Sequence, residues 1–319
     1  MADRKAAIVS VGCCVPDTVL TNADLARMVD TSDEWIRTRT GIRERRVVSR
    51  DAPVAAYELG ARASVIALER AKVAPHDVDA IICATFTPDY FFPSTACKMQ
   101  HLLGCPRAFA FDLSAACAGF VYGLTVADTL IRAGQCRTVL LVGSEVISRT
   151  LDWTERGTCI LFGDGAGAAV VQADESGKRG VLATCLASDG SLGDILSLPA
   201  WGERRVMHMK GNEVFKHAVR GMGDIAVEAC ARAGVRLEET DLLVPHQANI
   251  RIIRGLAERL NVPMDKVLAN IERYGNTSSA SIPLALDEAW SDGRIKPGTL
   301  AVLTALGGGI TMGAAVVRF

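Results

Sequence analysis

One cysteine in this chain of 319 residues stands where its thiol could act as a nucleophile. Cys117 follows the strand-like run Phe109–Leu113 and directly precedes a helical pattern that begins near Ala118. At such a strand-to-helix turn, the sulfur lies beside free backbone N–H groups and the positive end of the helix dipole. Both stabilise a thiolate, so we expect the Cys117 pKa to fall below the usual value of about 8.5. The competing interpretation is a small buried core residue.

A histidine follows a second predicted strand. His246 comes directly after the run 242–245, in the segment PHQAN. Because Pro245 cannot extend a hydrogen-bonded ladder, we expect the strand to end there and His246 to lie at its exposed end. Ligand sites of layered α/β proteins gather at the carboxyl ends of strands. The alternative is an ordinary surface histidine, or one that only supports other residues of a site.

Two further segments carry groups that stabilise a negatively charged oxygen. Asn276 lies in RYGNTSSAS, ahead of a helix with Pro283 in its first turn. Its side-chain amide is suited to donate a hydrogen bond to an oxyanion beside His246, although Gly-Asn pairs are most often plain turns. The segment LGGGITMG, at residues 306–313, is either a flexible turn or a row of backbone N–H groups that bind an oxyanion.

Composition excludes several classes of protein. Lys plus Arg number 35 and Asp plus Glu 36, a net charge of −1, which argues against a dedicated nucleic-acid binder. The 49% of hydrophobic residues indicates a packed globular protein rather than a disordered chain. No secretory pattern and no continuous apolar run of about 18 residues is found, so we expect no association with a membrane. Ten cysteines without a CxxC motif or zinc spacing indicate reduced thiols, a cytoplasmic protein and no metal site.

The elements that must position these residues alternate between short apolar runs and longer helical patterns, which predicts a layered α/β fold. Strands are predicted at residues 7–11, 78–84, 108–113, 138–142, 166–172, 242–245 and 300–305. Helices are predicted at residues 54–72, 93–104, 118–133, 214–233 and 250–260. We expect Asp51 to cap the first helix near Pro53, and Pro93 to open the second, which Gly104 ends.

The order of elements in residues 78–143 recurs in residues 241–308, which indicates a duplication. The shift that relates the two copies places Cys117 on Asn276 and matches Asp128 with Asp287. We predict two similar halves, residues 1–175 and 176–319, joined near residues 174–180. Two facing helix starts would then direct Cys117 and Asn276 into one cavity between the halves.

The glycine-rich segment FGDGAGAAVV, at residues 162–171, superficially suggests a dinucleotide-binding loop. Its third glycine position is Val170, and no long helix follows, so the spacing fails. We expect these glycines to permit tight packing where a strand begins.

Taken together, these segments resemble the 3-oxoacyl-(acyl-carrier-protein) synthase III family, the condensing enzymes that initiate type II fatty-acid synthesis. The resemblance covers nearly the whole chain. Its motifs are DEWIRTRTGIRERR, the Cys117 turn, FGDGAGA, GNEVFK, HQAN, GNTSSAS and GGG…GAAVVRF, in this order. It implies a thiolase-like α/β fold of two pseudo-symmetric halves in five layers, α-β-α-β-α.

The resemblance also implies a reaction. An acyltransferase of this family condenses acetyl-CoA, or another short acyl-CoA, with malonyl-acyl-carrier protein and releases CoA and CO₂. The acyl group passes through a cysteine thioester, without a cofactor. The implied triad is Cys117, His246 and Asn276, and the implied oxyanion hole is formed by the backbone amides of Cys117 and Gly308.

Binding residues are implied in the same way. The family's CoA contacts fall on Trp35, Arg39, Arg156, Gly211 and Asn249, with Trp35 and Arg156 on either side of the adenine. Pocket residues fall on Phe215 and on Phe92, which the neighbouring subunit of a homodimer contributes. A basic patch for the acyl-carrier protein falls on Lys216, Arg251, Arg254 and Arg259. For any one of these four residues, an ordinary solvated helix face is an equal alternative.

Two departures from the family pattern leave the primer open. The segment between Pro199 and Gly211 looks short, and Leu306 stands where an aromatic residue is frequent. One alternative is therefore a relative that uses another primer in a polyketide or alkylquinolone pathway. The other is a scaffold that binds acyl-carrier protein without condensing, although a scaffold has no need of a complete triad.

Overall fold

The computed structural model describes residues 4–203 and 205–319. The strands are β1 (Lys5–Cys14), β2 (Val19–Thr21), β3 (Glu44–Arg46), β4 (Ala80–Ala84), β5 (Phe109–Leu113), β6 (Thr138–Glu145), β7 (Gly165–Asp174), β8 (Gly180–Ser188), β9 (Leu196–Ser197), β10 (His208–Met209), β11 (Leu242–Pro245), β12 (Leu300–Gly307) and β13 (Thr311–Arg318). The α-helices are α1 (Asn22–Ala26), α2 (Asp33–Thr40), α3 (Ala56–Ala71), α4 (Thr95–Leu103), α5 (Gly119–Arg132), α6 (Arg156–Cys159), α7 (Gly211–Ala233), α8 (Ile250–Arg259), α9 (Ile271–Tyr274) and α10 (Ser281–Ser291).

The two large sheets share one strand order. The first sheet runs β1-β7-β6-β4-β5, and the second, from the equivalent edge, runs β8-β13-β12-β11. β4 pairs in parallel with β6 as β11 does with β12, and the remaining neighbours toward β1 and β8 are antiparallel. A single parallel bridge between Leu243 and Val267 occupies the place that β5 takes in the first sheet. This shared topology agrees with the repeated order of elements in the sequence.

Helices fill three layers around the two sheets. α3 and α4 cover the outer face of the first sheet, and α7 and α8 cover the outer face of the second. α5 and α10 lie between the sheets, where Phe120, Leu124 and Leu286 are buried in one core. Each of these two central helices packs against strands of both halves, so its apolar residues are buried on both sides. The layers are α-β-α-β-α, which confirms the predicted fold class.

The starts of two helices differ from the predictions. α3 begins at Ala56, and the Glu58 carboxylate accepts the Ala55 N–H at 2.8 Å, so neither Asp51 nor Pro53 takes the expected place. α4 begins at Thr95 with Ser94 as its N-cap, and Pro93 lies outside it. A cap is set by the side chain that reaches the first free N–H groups, which spacing alone does not locate. Gly104, with a φ of 65°, ends α4 as predicted.

The glycines of FGDGAGAAVV allow the two halves to approach each other. Gly165 begins β7, and a Cβ added to Gly167 would lie 2.7 Å from the Pro283 ring of α10. Real Cβ atoms do not come this close, so a side chain there would push the central helix away from the first sheet. The predicted tight packing at the start of a strand is confirmed.

Candidate active site

Cys117 lies where two cavities meet between the halves. It belongs to a short 3₁₀ turn, Ala116–Ala118, that leads into α5, and it is 7% exposed. One cavity, of about 250 Å³, is also lined by His246 and Asn276. The other, of about 370 Å³, is lined by Cys117 and Gly308. The predicted convergence of the three side chains on one cavity is therefore found.

The predicted direction of the Cys117 pKa shift is wrong. Burial raises the pKa of the thiol to about 12, and the Glu145 carboxylate also raises it. The Ser278 side chain and the backbone amide of Cys117 act in the opposite direction but are outweighed by burial. The helix end cannot offset removal of the charge from water in this closed site. The resting side chain is therefore a neutral thiol at pH 7.

His246 follows β11 as predicted, but it is only 1% exposed. The prediction of an exposed position is wrong because Ser281, the first residue of α10, packs against the ring. Nδ1 of His246 lies 2.7 Å from Ser281 Oγ, which also accepts the backbone N–H of Gln247 at 3.3 Å. Burial lowers the pKa of His246 to about 3, so the imidazole is neutral at pH 7.

Backbone hydrogen bonds from the other half of the chain hold Asn276. Its N–H donates to the Leu161 carbonyl at 2.8 Å, and its carbonyl accepts the Gly163 N–H at 3.0 Å. In the side chain, Oδ1 accepts the Ser278 N–H at 2.8 Å. Since Oδ1 is occupied, the Nδ2 group is the part of the amide that remains to serve the cavity as a donor.

The end of β12 lies directly against the backbone amide of Cys117. A Cβ added to Gly307 would lie 2.5 Å from the Cys117 nitrogen, so only a glycine fits there. Gly308, the next residue, borders the same cavity as Cys117. The hydroxyl of Thr311 donates to the Ala115 carbonyl at 2.8 Å, which ties the cysteine turn to β13. Both residues of the predicted oxyanion hole therefore border one cavity.

Four of the five residues expected to contact CoA line the smaller cavity, and the fifth, Arg156, lies against one of them. The lining includes Trp35, Arg39, Gly211 and Asn249, and also the predicted pocket residue Phe215. The guanidinium carbon of Arg156 lies 4.6 Å from the centre of the Trp35 ring, and that of Arg39 lies 4.4 Å from it. In this structure Arg156 thus stacks on Trp35 itself and donates to the Asp30 carbonyl at 2.7 Å.

The predicted carrier-protein patch borders the same cavity. Lys216, Arg251 and Arg254 are exposed, and the Arg251 guanidinium lies 5.6 Å from the centre of the Phe215 ring. Arg259 pairs with Asp224 at 2.5 Å, so its charge is partly neutralised. Arg251 also lines the cavity, which links the surface patch to the site.

Phe92 does not enter either cavity of its own chain. It is 86% exposed, next to Phe91, whose ring stacks on that of Trp201 at 5.4 Å. Trp201 belongs to the short segment between β9 and β10, and Met207 of the same segment lines the larger cavity. These aromatic rings form an exposed apolar surface beside the site.

Ser278, Ser281 and Glu145 also bear on the site, and none of them is among the residues predicted from the sequence. The two serines lie within GNTSSAS, the motif in which only Asn276 has a predicted role. Glu145 had no signal, because it contacts the site only through residues far away in the sequence.

In the described parts of the chain, residues 4–203 and 205–319, no group of three or more His, Cys, Asp or Glu could hold a metal ion. Within the same residues, no helix is both long enough and apolar enough to cross a membrane. All ten cysteines are free thiols.

Comparison with known proteins identifies the family. Residues 111–190 match the family described as 3-oxoacyl-[acyl-carrier-protein (ACP)] synthase III, and residues 230–319 match its C-terminal counterpart. A beta-ketoacyl-[acyl-carrier-protein] synthase III of Aquifex aeolicus (strain VF5) is 49% identical, over 98% of this chain and 99% of its own. The relative from Alkalilimnicola ehrlichii with the same name is 50% identical over 98% of this chain and 99% of its own.

Solved structures of related proteins support the same family assignment. The crystal structure of the Aquifex aeolicus VF5 synthase has a TM-score of 0.95 at 48% identity and covers 98% of this chain and 100% of that one. The priming beta-ketosynthase from the R1128 polyketide biosynthetic pathway has a TM-score of 0.93 at 35% identity and covers 100% of this chain and 98% of that one. This chain belongs to the beta-ketoacyl-[acyl-carrier-protein] synthase III family of condensing enzymes.

Proposed function

We propose that this enzyme condenses acetyl-CoA, or another short acyl-CoA, with malonyl-acyl-carrier protein by way of a thioester on Cys117. The observation that carries the proposal is the convergence of Cys117, His246 and Asn276 on one cavity that also reaches the predicted CoA contacts. The products are 3-oxoacyl-acyl-carrier protein, CoA and CO₂.

In the first step the sulfur of Cys117 forms a bond to the thioester carbon of the acyl-CoA. The resulting oxyanion lies between the backbone amides of Cys117 and Gly308, which are fixed before the reaction and need no reorganisation. The carbon–sulfur bond to CoA then breaks. The proton of the resting Cys117 thiol passes to the CoA sulfur, so CoA leaves as a neutral thiol.

In the second step malonyl-acyl-carrier protein enters and loses CO₂. The electron pair of the broken bond forms an enolate, whose oxygen accepts hydrogen bonds from His246 and Asn276. The enolate carbon attacks the acyl group on Cys117, and the cysteine leaves as a thiolate that takes up one proton. The reacting groups are thus stabilised by donors of the protein itself, and the proposal requires no cofactor.

Ser281 supports the donor role of His246. Ser281 Oγ accepts the Gln247 N–H, so its own proton is available for Nδ1 of the imidazole, 2.7 Å away. That arrangement leaves the imidazole proton on Nε2, the nitrogen that remains to bond the enolate. Ser278 does the equivalent for Asn276, because it occupies Oδ1 and leaves Nδ2 as the donor.

The remaining site residues take the roles that their positions support. Trp35 and Arg156 are proposed to enclose the adenine of CoA, which requires Arg156 to leave the Trp35 ring on which it now stacks. Arg39, Gly211, Asn249 and Phe215 line the channel for the CoA arm. Lys216, Arg251 and Arg254, with Arg259 nearby, form the docking surface for the acidic carrier protein.

We also propose a homodimer in the cytoplasm. The exposed Phe92 and its aromatic neighbours lie beside the larger cavity and are suited to a second copy, which would place Phe92 in the partner's primer pocket. Ten free thiols suit a reducing compartment. We also propose that the two halves meet near residue 175, since β7 ends at Asp174 and β8 begins at Gly180.

A second pathway is supported by the similarity to the R1128 priming ketosynthase. The same triad would then load a different primer for polyketide synthesis. A panel of acyl-CoA primers with malonyl-acyl-carrier protein separates the two, because acetyl preference supports fatty-acid initiation and preference for a longer or branched primer supports the specialised pathway.

Mass spectrometry of the enzyme after mixing with acetyl-CoA tests the proposal. We expect one acetyl group on the peptide that contains Cys117, and none in Cys117→Ser. Later addition of malonyl-acyl-carrier protein should remove the acetyl group from the wild type. Absence of any adduct would favour a scaffold that binds carrier protein without condensing.

A further inference from the structure

A fully buried carboxyl group lies beside the active site and has no place in the reaction described above. Glu145 is the last residue of β6, and its side chain is closed off from solvent. It is near enough to Cys117 for its negative charge to raise the pKa of the thiol. A buried acid beside a nucleophile is costly unless its surroundings compensate it.

One oxygen of this carboxyl group is held by the loop that follows β4. Glu145 Oε2 accepts the Thr87 hydroxyl at 2.6 Å and the Thr85 hydroxyl at 3.1 Å. It also lies 3.2 Å from the backbone nitrogens of Phe86 and Thr87. Oε2 is therefore fully satisfied as an acceptor within the first half of the chain.

The other oxygen meets Ser279 of the second half. Ser279 Oγ lies 2.9 Å from Glu145 Oε1 and 2.8 Å from the Ala84 carbonyl oxygen. A hydroxyl carries one proton and cannot donate to both oxygens at once. Both contacts are hydrogen bonds when Ser279 donates to Ala84 and a protonated Glu145 donates to Ser279. The geometry accommodates a neutral carboxylic acid with every contact paired.

Ser279 belongs to the turn Ser278–Ala280, which orients the proposed enolate donor. The neighbouring Ser278 N–H holds Oδ1 of Asn276. The first half approaches this turn closely, since a Cβ on Gly143 of β6 would lie 2.3 Å from the Ser279 carbonyl oxygen. Glu145 thus links the ends of β4 and β6 to the turn behind Asn276 and Cys117.

We propose that Glu145 is a positioning residue: as a neutral acid it holds the Ser278–Ala280 turn against the first half, and once ionised it opposes a thiolate on Cys117. This inference rests on the proposed role of Cys117 as the nucleophile. It makes the ionisation of the nucleophile depend on a second buried group.

The charges around Glu145 allow this coupling. Among the described residues, the titratable groups that face it are the thiols of Cys117 and of Cys83 in β4. Asp112 and Asp89 also act on Cys83, but Asp89 pairs with Arg149 at 2.7 Å and Asp112 accepts the N–H groups at the start of α4. Burial raises the pKa of Glu145 to about 7, against the hydrogen bonds that lower it.

Two groups that repel each other when both are charged titrate as a pair. Below about pH 7 the thiolate fraction of Cys117 should rise tenfold per pH unit, as for any thiol. As Glu145 ionises, the rise should flatten, because each thiolate then forms beside a negative charge. In Glu145→Gln the rise should continue without a bend.

The test is the rate at which iodoacetamide alkylates Cys117, followed by peptide mass spectrometry from about pH 6 to pH 9. Gln is a fair substitute because its NH₂ group donates to Ser279 and its oxygen accepts from Thr87, without a charge. We expect equal rates near pH 6 and a rate roughly tenfold higher in Glu145→Gln near pH 9. The exposed substitution Glu69→Gln is the matched control and should retain the bend.

Ser279→Ala gives an independent reading, also if Glu145→Gln does not fold. In the neutral acid Ser279 accepts the proton of Glu145. Loss of this hydroxyl removes a partner of the neutral form, so the bend should move to lower pH. A bend that is absent from the wild type, or unchanged in both variants, overturns the inference. If acetyl-CoA does not acetylate Cys117 at all, the proposed function fails instead.

Discussion

At the scale of single residues, the site combines reactive groups that are all neutral at rest. Burial pushes the Cys117 pKa up and the His246 pKa down, so neither side chain is charged at pH 7. Both pKa shifts therefore disfavour a resting thiolate–imidazolium pair. In the proposed reaction the thiol loses its proton as the acyl group is transferred, when the proposed oxyanion hole offers compensating hydrogen bonds.

Neutral His246 has a consequence for stability. Its pKa is lowered from 6.5 to about 3, so between these values the unfolded chain binds more protons than the folded one. The contribution of His246 to the free energy of unfolding therefore rises with pH across this window. The same contribution is lost when the pH falls. Relative to His246→Gln, the wild type should gain about 3 kcal/mol between about pH 4 and pH 6.5.

Urea unfolding of the two proteins at a series of pH values measures this difference. Glu145 acts in the opposite direction, because its raised pKa stabilises the fold at low pH and that contribution is lost as the pH rises through about 7. The Glu145 contribution is present in both proteins and cancels in the comparison. A difference that stays constant with pH would show that His246 is not buried in its neutral form.

At the scale of elements, the site is built where strands end and helices begin. Cys117 precedes α5, His246 precedes α8 and Asn276 precedes α10. The sequence revealed these junctions well, since Pro245 ends β11 at the predicted residue. It could not reveal the sign of the Cys117 pKa shift, because the local helix end is visible in the sequence and the covering of the thiol by the second half is not.

The partners of the site residues were hidden for the same reason. Ser281 lies 35 positions from His246, and Ser279 lies 134 positions from Glu145. The first pair forms only when α10 packs against the end of β11, and the second only when the two halves pack together, so no local pattern encodes either. The observed starts of α3 and α4, at Ala56 and Thr95, differ from the predicted ones by a few residues. Several nearby residues are suitable caps, and the sequence alone does not choose among them.

The junction between β12 and the cysteine turn gives a prediction at this scale. In Gly307→Ala the new methyl group would collide with the Cys117 amide, displacing a donor of the oxyanion hole. We expect acetylation of Cys117 by acetyl-CoA to slow by about 100-fold, as for loss of one such donor. Rapid-quench mass spectrometry measures the rate. Gly190→Ala, where an added Cβ meets nothing within 4 Å, should acetylate normally; equal rates in both variants would contradict the assignment.

At the scale of the whole molecule, two halves with one strand order enclose a single site. The first half supplies Cys117, and the second supplies His246, Asn276 and Gly308. Glycines line the contact between the halves, and they allow close approach because a Cβ there would collide with the other half. They are Gly143, Gly167 and Gly307. Membership of the synthase III family follows from the full length of the chain, not from the triad alone.

The exposed aromatic surface predicts how two copies assemble. The Phe92 side chain is 86% exposed, and we assign it to the contact between copies. Phe92→Asp replaces its ring by a charged carboxylate. We expect light scattering to give the wild type a mass of twice its chain mass of 33.9 kDa, and the variant the mass of a monomer. Met264→Asp, at an exposed apolar residue elsewhere, should remain a dimer. A dimer in both variants would place the interface on another face.

The most direct test of the account is the separation of the two half-reactions in Asn276→Ala. Because Cys117 and its oxyanion hole are intact in this variant, we expect acetyl-CoA to acetylate Cys117 at a measurable rate. Release of CO₂ from malonyl-acyl-carrier protein should fall by about 100-fold or more, since the enolate has lost one of its two donors. Normal decarboxylation in the acetylated variant would contradict the claim that the second half supplies the groups that stabilise the enolate.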